Sequence, residues 1–436
     1  MKAKQFLFIY LILLSINISQ SNAQPAIDTI KVMTYNVGNF GTAPTTSCPL
    51  FNFNLKSGYL RTILKYENPD IIGMAKINGD EMFCTDTIVN LVLDSLCTGC
   101  WGYGNYSVVS TYPKENMLYF NTNKFGFKSS TVIYSGDPNI SDITLHKLYY
   151  KSPDLAITHD TIFLKIVLAH LLSGSGSTSN RGIEVAGAMT WLNANIGSNE
   201  NLIFMGDLNT TKSTETCFQD LISSPNINTK FFDPPGQLGN WSASPTLFAN
   251  YLTQSTRTTD PGDCNATGGL SNRFDHILLT TPLMTGTDSM EYIAGSYKVI
   301  GQDGLHTNNA LTDSPTNTSV PANVNSALYY MSEHLPVKLY LMIHNNSTTA
   351  GVSSIKNATA EIKIYPNPFT STTTIVFSED EWHKIKITDV YGKEVKTFTI
   401  SGKQCTIGKG EMSKGIYFVQ ITDGQKNICN RKIVIQ

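Results

Sequence analysis

The sequence predicts an α/β domain followed by a smaller all-β domain. Between residues 29 and 345, short apolar runs of strand length alternate with segments that have helical periodicity. A Ser/Thr/Asn-rich stretch over 346–360 lacks apolar periodicity and is typical of a linker. Residues 361–436 then alternate apolar and polar side chains, which is the period of antiparallel strands. We therefore expect two domains of different fold class.

The first residues have the features of a secretory signal peptide, predicted to span 1–23. Lys2 and Lys4 precede an apolar run over 6–16, and residues 21–23 offer small side chains to a signal peptidase. The apolar run is too short to span a bilayer, and no later stretch is long and apolar enough to do so. We expect an exported protein without a transmembrane segment.

The α/β domain is predicted from apolar runs that recur between amphipathic segments. Strands are expected over 30–35, 70–74, 117–120, 162–169, 202–205, 274–280 and 337–343. Helices are expected over 58–66, 87–96 and 182–195. A net charge of −2 provides no basic field over the surface, so any contact with nucleic acid would have to be local.

The second domain is predicted to be a small antiparallel β-sandwich over 361–436. It resembles the C-terminal sorting domain of the type IX (Por) secretion system of Bacteroidetes, in the run YPNPF at 365–369, DVYGK at 389–393, KGIY at 414–417 and KIV at 432–434. The resemblance implies export through the type IX secretion machinery, followed by release or attachment at the outer-membrane surface.

Eight cysteines in an exported chain favour disulfide bonds. We expect the pairs Cys97–Cys100, Cys217–Cys264, Cys405–Cys429 and Cys48–Cys84. The run CTGC at 97–100 is also half of a zinc site, but no second CxxC or nearby histidine pair completes it.

Four separated motifs place polar residues beside predicted strands. They are MTYNVGNF (33–40), GMAKI (73–77), GDLN (206–209) and SEHLPV (332–337), and they contribute Asn36, Asp207 with Asn209, and Glu333 with His334. Hydrolysis of a phosphodiester needs neutralisation of phosphoryl charge, activation of water and stabilisation of the leaving oxygen. Carboxylates and amides suit a hard cation such as Mg²⁺. These motifs indicate a phosphodiesterase site.

Together the motifs resemble the endonuclease/exonuclease/phosphatase superfamily, which includes pancreatic-type deoxyribonucleases, abasic-site endonucleases, neutral sphingomyelinases and inositol phosphatases. The resemblance covers about 30–345 and extends to NPDIIG at 68–73, AHL at 169–171, TQSTR at 253–257 and RFD at 273–275. It implies a four-layer α/β sandwich, in which two mixed β-sheets pack face to face and are flanked by helices.

The resemblance also implies a metal site. Asn36, Glu333 and Asp207 would hold Mg²⁺ or another divalent cation (Mn²⁺ or Ca²⁺). Asp207 would also orient or deprotonate the attacking water, and Asn209 would donate to a phosphate oxygen. Glu333 stands where the superfamily usually has Asp, a change that keeps the charge.

Acid–base roles follow from the same resemblance. His334 would contact the scissile phosphate as acid or base, and Asp275 would orient it through a carboxylate–imidazole hydrogen bond. His170 is similar to the second histidine of the deoxyribonuclease-like members, and Glu115 to the carboxylate that orients that histidine. Taken without the resemblance, the alternative interpretation of Glu115 is a solvated surface charge.

Lys76 departs from the pattern, because the superfamily normally has a metal-binding Glu at this position. A protonated lysine has no lone pair to offer a metal. Three outcomes are open. Asp80 or Glu81 supplies the missing carboxylate; Lys76 pairs with Asp207 or Glu333 and stands in for the metal, contacting phosphate itself; or the site is inactive and the domain is retained for binding.

Residues 173–180 form a Gly/Ser-rich stretch that lacks the Gly-Lys-Ser/Thr ending of a P-loop, so we interpret it as a loop before a helix. Arg181 either reaches a substrate phosphate or caps that helix. The expected function is a secreted, monomeric, metal-dependent phosphodiesterase acting on extracellular nucleic acid. The alternatives are a phospholipid phosphodiesterase of the sphingomyelinase type and a non-catalytic binding protein on the same scaffold.

Overall fold

The computed structural model describes residues 26–106, 109–136, 138, 141–153, 155, 161–344, 362–390, 392–422 and 428–436. The predicted signal peptide over 1–23 and the linker over 346–360 lie outside these residues. The chain divides into two compact units, Met1–Ser347 and Thr348–Gln436. Among the described residues, no helix is long and apolar enough to cross a membrane.

The first unit contains both β-strands and helices throughout its described sequence. In chain order the strands are β1 (Ala26–Phe40), β2 (Ile71–Asn78), β3 (Trp101–Tyr103), β4 (Lys114–Asn121), β5 (Phe125–Tyr134), β6 (Ile143–Tyr150), β7 (Phe163–His170), β8 (Leu202–Asp207), β9 (Phe231–Phe232), β10 (Asp275–Thr280), β11 (Met290–Tyr292), β12 (Lys298–Val299) and β13 (Val337–His344). The α-helices are α1 (Phe53–Glu67), α2 (Ile88–Leu91), α3 (Thr178–Asn195), α4 (Thr216–Ile222), α5 (Thr281–Thr285) and α6 (Ala322–Met331). A π-helical turn covers Phe83–Thr87, and 3₁₀ turns cover Leu93–Ser95, Ser175–Ser177 and Pro245–Tyr251.

These strands form two mixed sheets. The first has the order β11-β13-β1-β2-β4-β3, with β12 also paired to β13, and the second has the order β5-β6-β7-β8-β10-β9. The β1–β2 and β7–β8 pairs are parallel. The sheets pack face to face so closely that a β-carbon added to Gly73 of β2 would lie 2.3 Å from Leu168 of β7 and 2.8 Å from Met205 of β8. Position 73 therefore needs glycine, which has no β-carbon to clash with the facing sheet.

Helices cover the outer face of each sheet. Leu60 and Leu64 of α1 and Leu328 of α6 belong to the same buried cluster as the first sheet. On the other side, Val185 of α3 and Phe218 of α4 join the buried cluster of the second sheet. The predicted four-layer α/β sandwich, two mixed sheets flanked by helices, is therefore confirmed.

The predicted strands of the first unit are all present, whereas two long strands, β5 and β6, were not predicted. β5 is an edge strand whose residues alternate irregularly between buried and exposed, so it carries no continuous apolar run. The helix predicted from residue 58 begins at Phe53, because the Asn52 side chain accepts a hydrogen bond from the Leu55 N–H at 3.2 Å and caps it. The helix predicted over 87–96 is a series of short π, α and 3₁₀ turns.

The second unit is all β and antiparallel, as predicted. Its strands are β14 (Lys363–Tyr365), β15 (Thr372–Thr388), β16 (Glu394–Gly408), β17 (Gly415–Thr422) and β18 (Ile428–Ile435). They form one hydrogen-bonded sheet with the order β14-β15-β17-β18, in which β16 pairs with β15. Apolar side chains of these strands, such as Ile387, Val419 and Ile433, are fully buried together.

The predicted Cys97–Cys100 disulfide is confirmed. The pair Cys217–Cys264 is wrong, since Cys264 is bonded to Cys48. The Leu50 N–H donates to the Gly262 carbonyl at 2.9 Å, so the loops that carry these two cysteines are neighbours although they are far apart in sequence.

The remaining predicted pairs do not form either. Cys84, Cys217 and Cys405 are buried free thiols, so the pairs Cys48–Cys84 and Cys405–Cys429 are wrong; the Cys429 side chain lies outside the described part. Burial raises the pKa of the Cys84 thiol to about 12. Buried thiols of this kind act as small apolar side chains within a core.

Candidate active site

The second sheet places three predicted site residues side by side. His170 is the last residue of β7, Asp207 the last of β8 and Asp275 the first of β10. Asp207 is the register partner of both His170 and Asp275. Adjacent strands bring opposite side chains within about 5 Å of each other. The three residues therefore form one row across the ends of three neighbouring strands of this sheet.

The first sheet supplies the other side of the site. Asn36 lies in β1, and Glu333 and His334 lie in the segment that leads into β13. The Ser332 hydroxyl donates to the Asn36 carbonyl at 2.7 Å, which holds this segment against β1. The Asn36 side-chain amide donates to Asp207 Oδ2 at 2.8 Å and joins the two sheets.

The GDLN motif forms a tight turn at the end of β8. Gly206 has a φ of +139°, and a β-carbon there would lie 1.9 Å from the Ala169 carbonyl oxygen. Asp207 Oδ1 accepts the Asn209 N–H at 3.0 Å, and the Asn209 amide donates to the Leu171 carbonyl at 2.9 Å. The motif thus stabilises the turn and at the same time directs its polar groups into the site.

His334 and Asp275 form a buried pair. His334 Nδ1 donates to Asp275 Oδ2 at 2.7 Å, so Nε2 faces the site, 3.0 Å from the Gln254 amide nitrogen and 3.7 Å from Asp207 Oδ2. Burial by itself would lower the pKa of His334, but the surrounding carboxylates, Asp275 first, raise it to about 9. The carboxylates therefore favour the protonated form of His334.

The pKa of His170 is shifted in the opposite direction, downwards. Its Nε2 lies 3.6 Å from Asp207 Oδ2, and burial lowers its pKa to about 4, an effect that the positive charge of Lys76 reinforces and Asp207 opposes. Its Nδ1 is buried without a hydrogen-bond partner. The expected carboxylate–imidazole bond from Glu115 is therefore not formed in this structure.

Glu115 lies in β4 as a buried residue, so the interpretation as a solvated surface charge is wrong. Burial and the nearby charge of Asp142 raise its pKa to about 8. Its register partner in β2 is Ile77, the residue after Lys76.

Lys76, at the position where a metal-binding Glu was expected, forms an ion pair. Its Nζ lies 3.1 Å from Glu333 Oε1, with the two side chains 22% and 1% exposed. Burial alone would raise the pKa of Glu333, but the charges of Lys76, His334 and Arg257 lower it to about 2. The Lys76 pKa is raised, because Glu333 and Asp207 outweigh the effect of burial.

A bulge in β2 directs Lys76 into the site. Lys76 has a φ of +64°, a left-handed conformation that is uncommon for a residue with a β-carbon. The pairing of β2 with β1 shifts between Asn36 and Phe40, and its pairing with β4 shifts between Met74 and Ile77. Bulges re-aim the side chains they carry.

Asp80 and Glu81 do not supply the missing carboxylate. Both are exposed, and Asp80 Oδ1 accepts the Phe83 N–H at 2.8 Å at the start of the π-helical turn. Of the open outcomes for Lys76, the pairing with Glu333 is the one that the structure contains.

The predicted metal ligands Asn36, Glu333 and Asp207 do not fit a divalent cation. Glu333 is paired with an ammonium, and Asn36 Oδ1 accepts the Gly38 N–H at 3.1 Å. Among the described residues, ligand atoms of Asp207, Asp275 and His334 lie within 4.8 Å of one another. This group could hold a metal.

Two supporting groups lacked a strong sequence signal. Gln254, whose side-chain amide lies against His334 Nε2, belongs to the TQSTR motif, but the motif did not assign it a role in the site. Backbone hydrogen bonds between the segments around Thr253 and His334 hold it in position. One of these runs from the Leu335 N–H to the Thr253 carbonyl, at 2.7 Å. Lys56 on α1 and Arg257 share Asp263 Oδ2, at 2.6 and 2.7 Å. A helical lysine is ordinarily interpreted as solvated.

Lys56 and Arg181 both have structural roles. The Lys56 ammonium also donates to the Met331 carbonyl at 2.7 Å, just before the Ser332–His334 segment. Arg181 is 1% exposed, pairs with Glu215 at 2.6 Å and donates to the Leu172 and Gly174 carbonyls. It therefore anchors the 173–180 loop and does not face a substrate.

Comparison with known proteins gives one family match. Residues 363–436 match the model of the secretion system C-terminal sorting domain. No curated protein matches the chain in sequence.

Several solved structures are similar to the chain. The human Nocturnin catalytic domain with bound sulfate anion is 13% identical, covers 73% of this chain and 97% of its own, and has a TM-score of 0.43. D. rerio TDP2 complexed with single strand DNA product is 12% identical, with coverages of 72% and 98% and a TM-score of 0.45. An endonuclease/exonuclease/phosphatase family protein from Bacteroides thetaiotaomicron is 13% identical, with coverages of 72% and 98% and a TM-score of 0.42.

These similarities are too distant to carry an inference about the chemistry of this chain. The family match is specific and agrees with the motifs of the C-terminal unit and with its antiparallel sheet. Residues 363–436 therefore belong to the secretion system C-terminal sorting domain family.

Proposed function

We propose that the first unit is an exported phosphodiester hydrolase, with extracellular nucleic acid as its first substrate class. The observation that carries the proposal is the buried His334–Asp275 pair, which faces Asp207 and His170 where the two sheets meet. Pairs of titratable groups whose pKa values are driven apart are typical of acid–base sites. We further infer that the sorting domain directs the chain to the type IX secretion machinery.

His334 is suited to be the general acid. Its Nδ1–H is held by Asp275, so Nε2 is the atom that gives up a proton to the leaving oxygen of the phosphodiester. Asp275 orients the ring and stabilises its charged form. The side-chain nitrogens of Gln254 and Asn36 lie 3.0 and 3.4 Å from this Nε2.

Asp207 and His170 are suited to the attacking water. Asp207 Oδ2 lies 3.6 Å from His170 Nε2 and 2.8 Å from the Asn36 amide, so a water bound beside this oxygen has both an acceptor and neighbouring polar groups. Asn209 uses one N–H on Leu171 and keeps the second for a phosphate oxygen. None of these steps requires a divalent cation.

A second candidate is a non-catalytic phosphodiester-binding protein. The Lys76–Glu333 ion pair favours it, because the pair occupies the position of a metal ligand. Both candidates recognise phosphodiesters and differ in whether they turn them over.

The test is hydrolysis of DNA, RNA, sphingomyelin and bis-(p-nitrophenyl) phosphate by the purified protein, with Mg²⁺, Mn²⁺ or EDTA. Removal of the acid should lower turnover by about 10²- to 10⁴-fold in His334→Ala. Lys212→Ala changes an exposed lysine and is the matched control. Binding of these substrates without turnover by the wild type would contradict the hydrolase and favour the binding protein.

A further inference from the structure

We propose that the Lys76 ammonium is the cation of this site, binding an oxygen of the substrate phosphate directly at the position where a divalent metal would be held. The proposal rests on the proposed function, since it concerns the phosphate group of the same phosphodiester. It assigns to Lys76 a substrate-binding role that replaces metal binding.

Backbone geometry is the first observation. Lys76 lies in the irregular stretch of both the β1–β2 and β2–β4 ladders, and its φ of +64° is unfavourable for a residue with a β-carbon. Unfavourable backbone conformations of this kind cluster at ligand sites, where the surrounding structure holds them in place. The bulge directs a flexible cationic side chain to a fixed carboxylate.

The second observation is the number of donors that remain. An ammonium has three N–H donors, and Glu333 Oε1 accepts one of those of Lys76 at 3.1 Å. No other hydrogen bond of this ammonium is present among the described residues. Because the Lys76 side chain is 22% exposed, its remaining donors can reach a ligand that enters from solvent.

The third observation is that Glu333 has no room for a metal. Its carboxylate is 1% exposed, and its Oε2 lies 3.3 Å from the Ser332 hydroxyl. A β-carbon on Gly38 would lie only 2.8 Å from the same oxygen. A divalent ion bound by Glu333 would therefore also meet the ammonium of Lys76, and like charges repel strongly in a buried site.

The same arrangement suits phosphate. A lysine is a compact point charge that binds phosphate in many sites. Asn209 provides a neutral donor, because only one N–H of its side-chain amide is used, on the Leu171 carbonyl. The phosphate would thus be bound by one ammonium and one amide, and Glu333 would fix the ammonium in place.

The first experiment measures binding of inorganic phosphate and of the dinucleotide TpT to the full chain by calorimetry in EDTA. We expect binding by the wild type and a loss of about 10- to 100-fold in Lys76→Gln, the size of one charge-assisted contact. Lys128→Gln is the matched control: it removes an exposed lysine on the edge strand β5, and it should bind as the wild type does. Equal binding by Lys76→Gln and the wild type, or wild-type binding only with Mg²⁺, would overturn the proposal.

The second experiment measures Mn²⁺ binding by electron paramagnetic resonance. Lys76→Glu should bind Mn²⁺ at least about tenfold more tightly than the wild type, because it replaces a cation with a carboxylate beside Glu333. The double variant Lys76→Glu/Glu333→Gln should lose this gain. Wild-type binding of Mn²⁺ that is as tight as that of Lys76→Glu would overturn the proposal. Should Lys76→Glu fail to fold, the phosphate titration of Lys76→Gln decides by itself.

The two proposals fail in different ways. Phosphate binding that needs Lys76, without turnover of any phosphodiester, would contradict the hydrolase and support the role of Lys76. Turnover that stops in EDTA, together with Mn²⁺ binding by the wild type, would support the hydrolase and overturn the role of Lys76.

Discussion

Lys76 Nζ and Glu333 Oε1, which lie 257 residues apart in sequence, are 3.1 Å apart in the structure. The pair joins a bulge of β2 to the segment before β13, and it sits at the edge where His334, Asp207 and His170 converge. The charge of the buried Glu333 carboxylate is thereby neutralised by the protein itself.

The ion pair should stabilise the fold. Lys76→Gln leaves Glu333 buried without its counter-ion, and we expect it to lower the free energy of unfolding by about 2 kcal/mol, less than for a fully buried pair because Lys76 is 22% exposed. The double variant Lys76→Gln/Glu333→Gln should recover about half of this loss, because no buried charge remains. Urea unfolding of the wild type, of the single variants Lys76→Gln and Glu333→Gln, and of the double variant completes the double-mutant cycle. Additive losses would show that the two side chains are not coupled.

The charge of His334 should make stability depend on alkaline pH. Its folded-state pKa is raised from 6.5 to about 9, so its contribution is fully present below about pH 6.5 and is lost as the pH rises towards 9. The rise corresponds to roughly 3 kcal/mol, at about 1.36 kcal/mol per pH unit. The wild type should therefore lose about this much more stability than His334→Gln between pH 6.5 and 9. Parallel curves of unfolding free energy for the two proteins would contradict the raised pKa.

Gly206 should tolerate no side chain. Gly206→Ala would place a β-carbon 1.9 Å from the Ala169 carbonyl oxygen, so the β7–β8 pair would have to separate next to Asp207. We expect a loss of more than about 3 kcal/mol in stability. Gly174→Ala is the control, since Gly174 also has a positive φ, +97°, but its nearest added contact is 3.7 Å. Similar thermal denaturation midpoints for the two variants would mean that backbone strain, and not the clash, determines the effect.

The two disulfides should contribute unequally. Loop entropy predicts about 5 kcal/mol for Cys48–Cys264, which spans 216 residues, and about 2 kcal/mol for Cys97–Cys100, which spans 3. The double variant Cys48→Ser/Cys264→Ser should also weaken the contact between the Cys264 loop and β1 beside Asn36, because Asn265, next to Cys264, donates to the Gly38 carbonyl. Calorimetric unfolding of the two double variants measures the difference. Equal losses would contradict the loop-entropy argument.

Individual elements show how far the sequence predicts the fold. The runs over 202–205 and 337–343 are apolar and bounded by turn residues, and both are strands in the structure. β5 was not predicted because an edge strand buries only part of its residues. Disulfide pairing was largely mispredicted because sequence spacing does not report which loops meet: Cys217 lies in α4 within the core, while Cys264 lies beside Cys48.

The sequence by itself determined the fold class, the sorting domain and the residue types of the site, because apolar periodicity and short motifs are local properties of the chain. Only the tertiary structure decided the fate of Lys76. Whether a lysine faces solvent, a phosphate or a carboxylate depends on a bulge in β2 and on a glutamate 257 residues away. The same holds for His170 and His334, two histidines whose pKa values move in opposite directions because burial dominates for one and carboxylates dominate for the other.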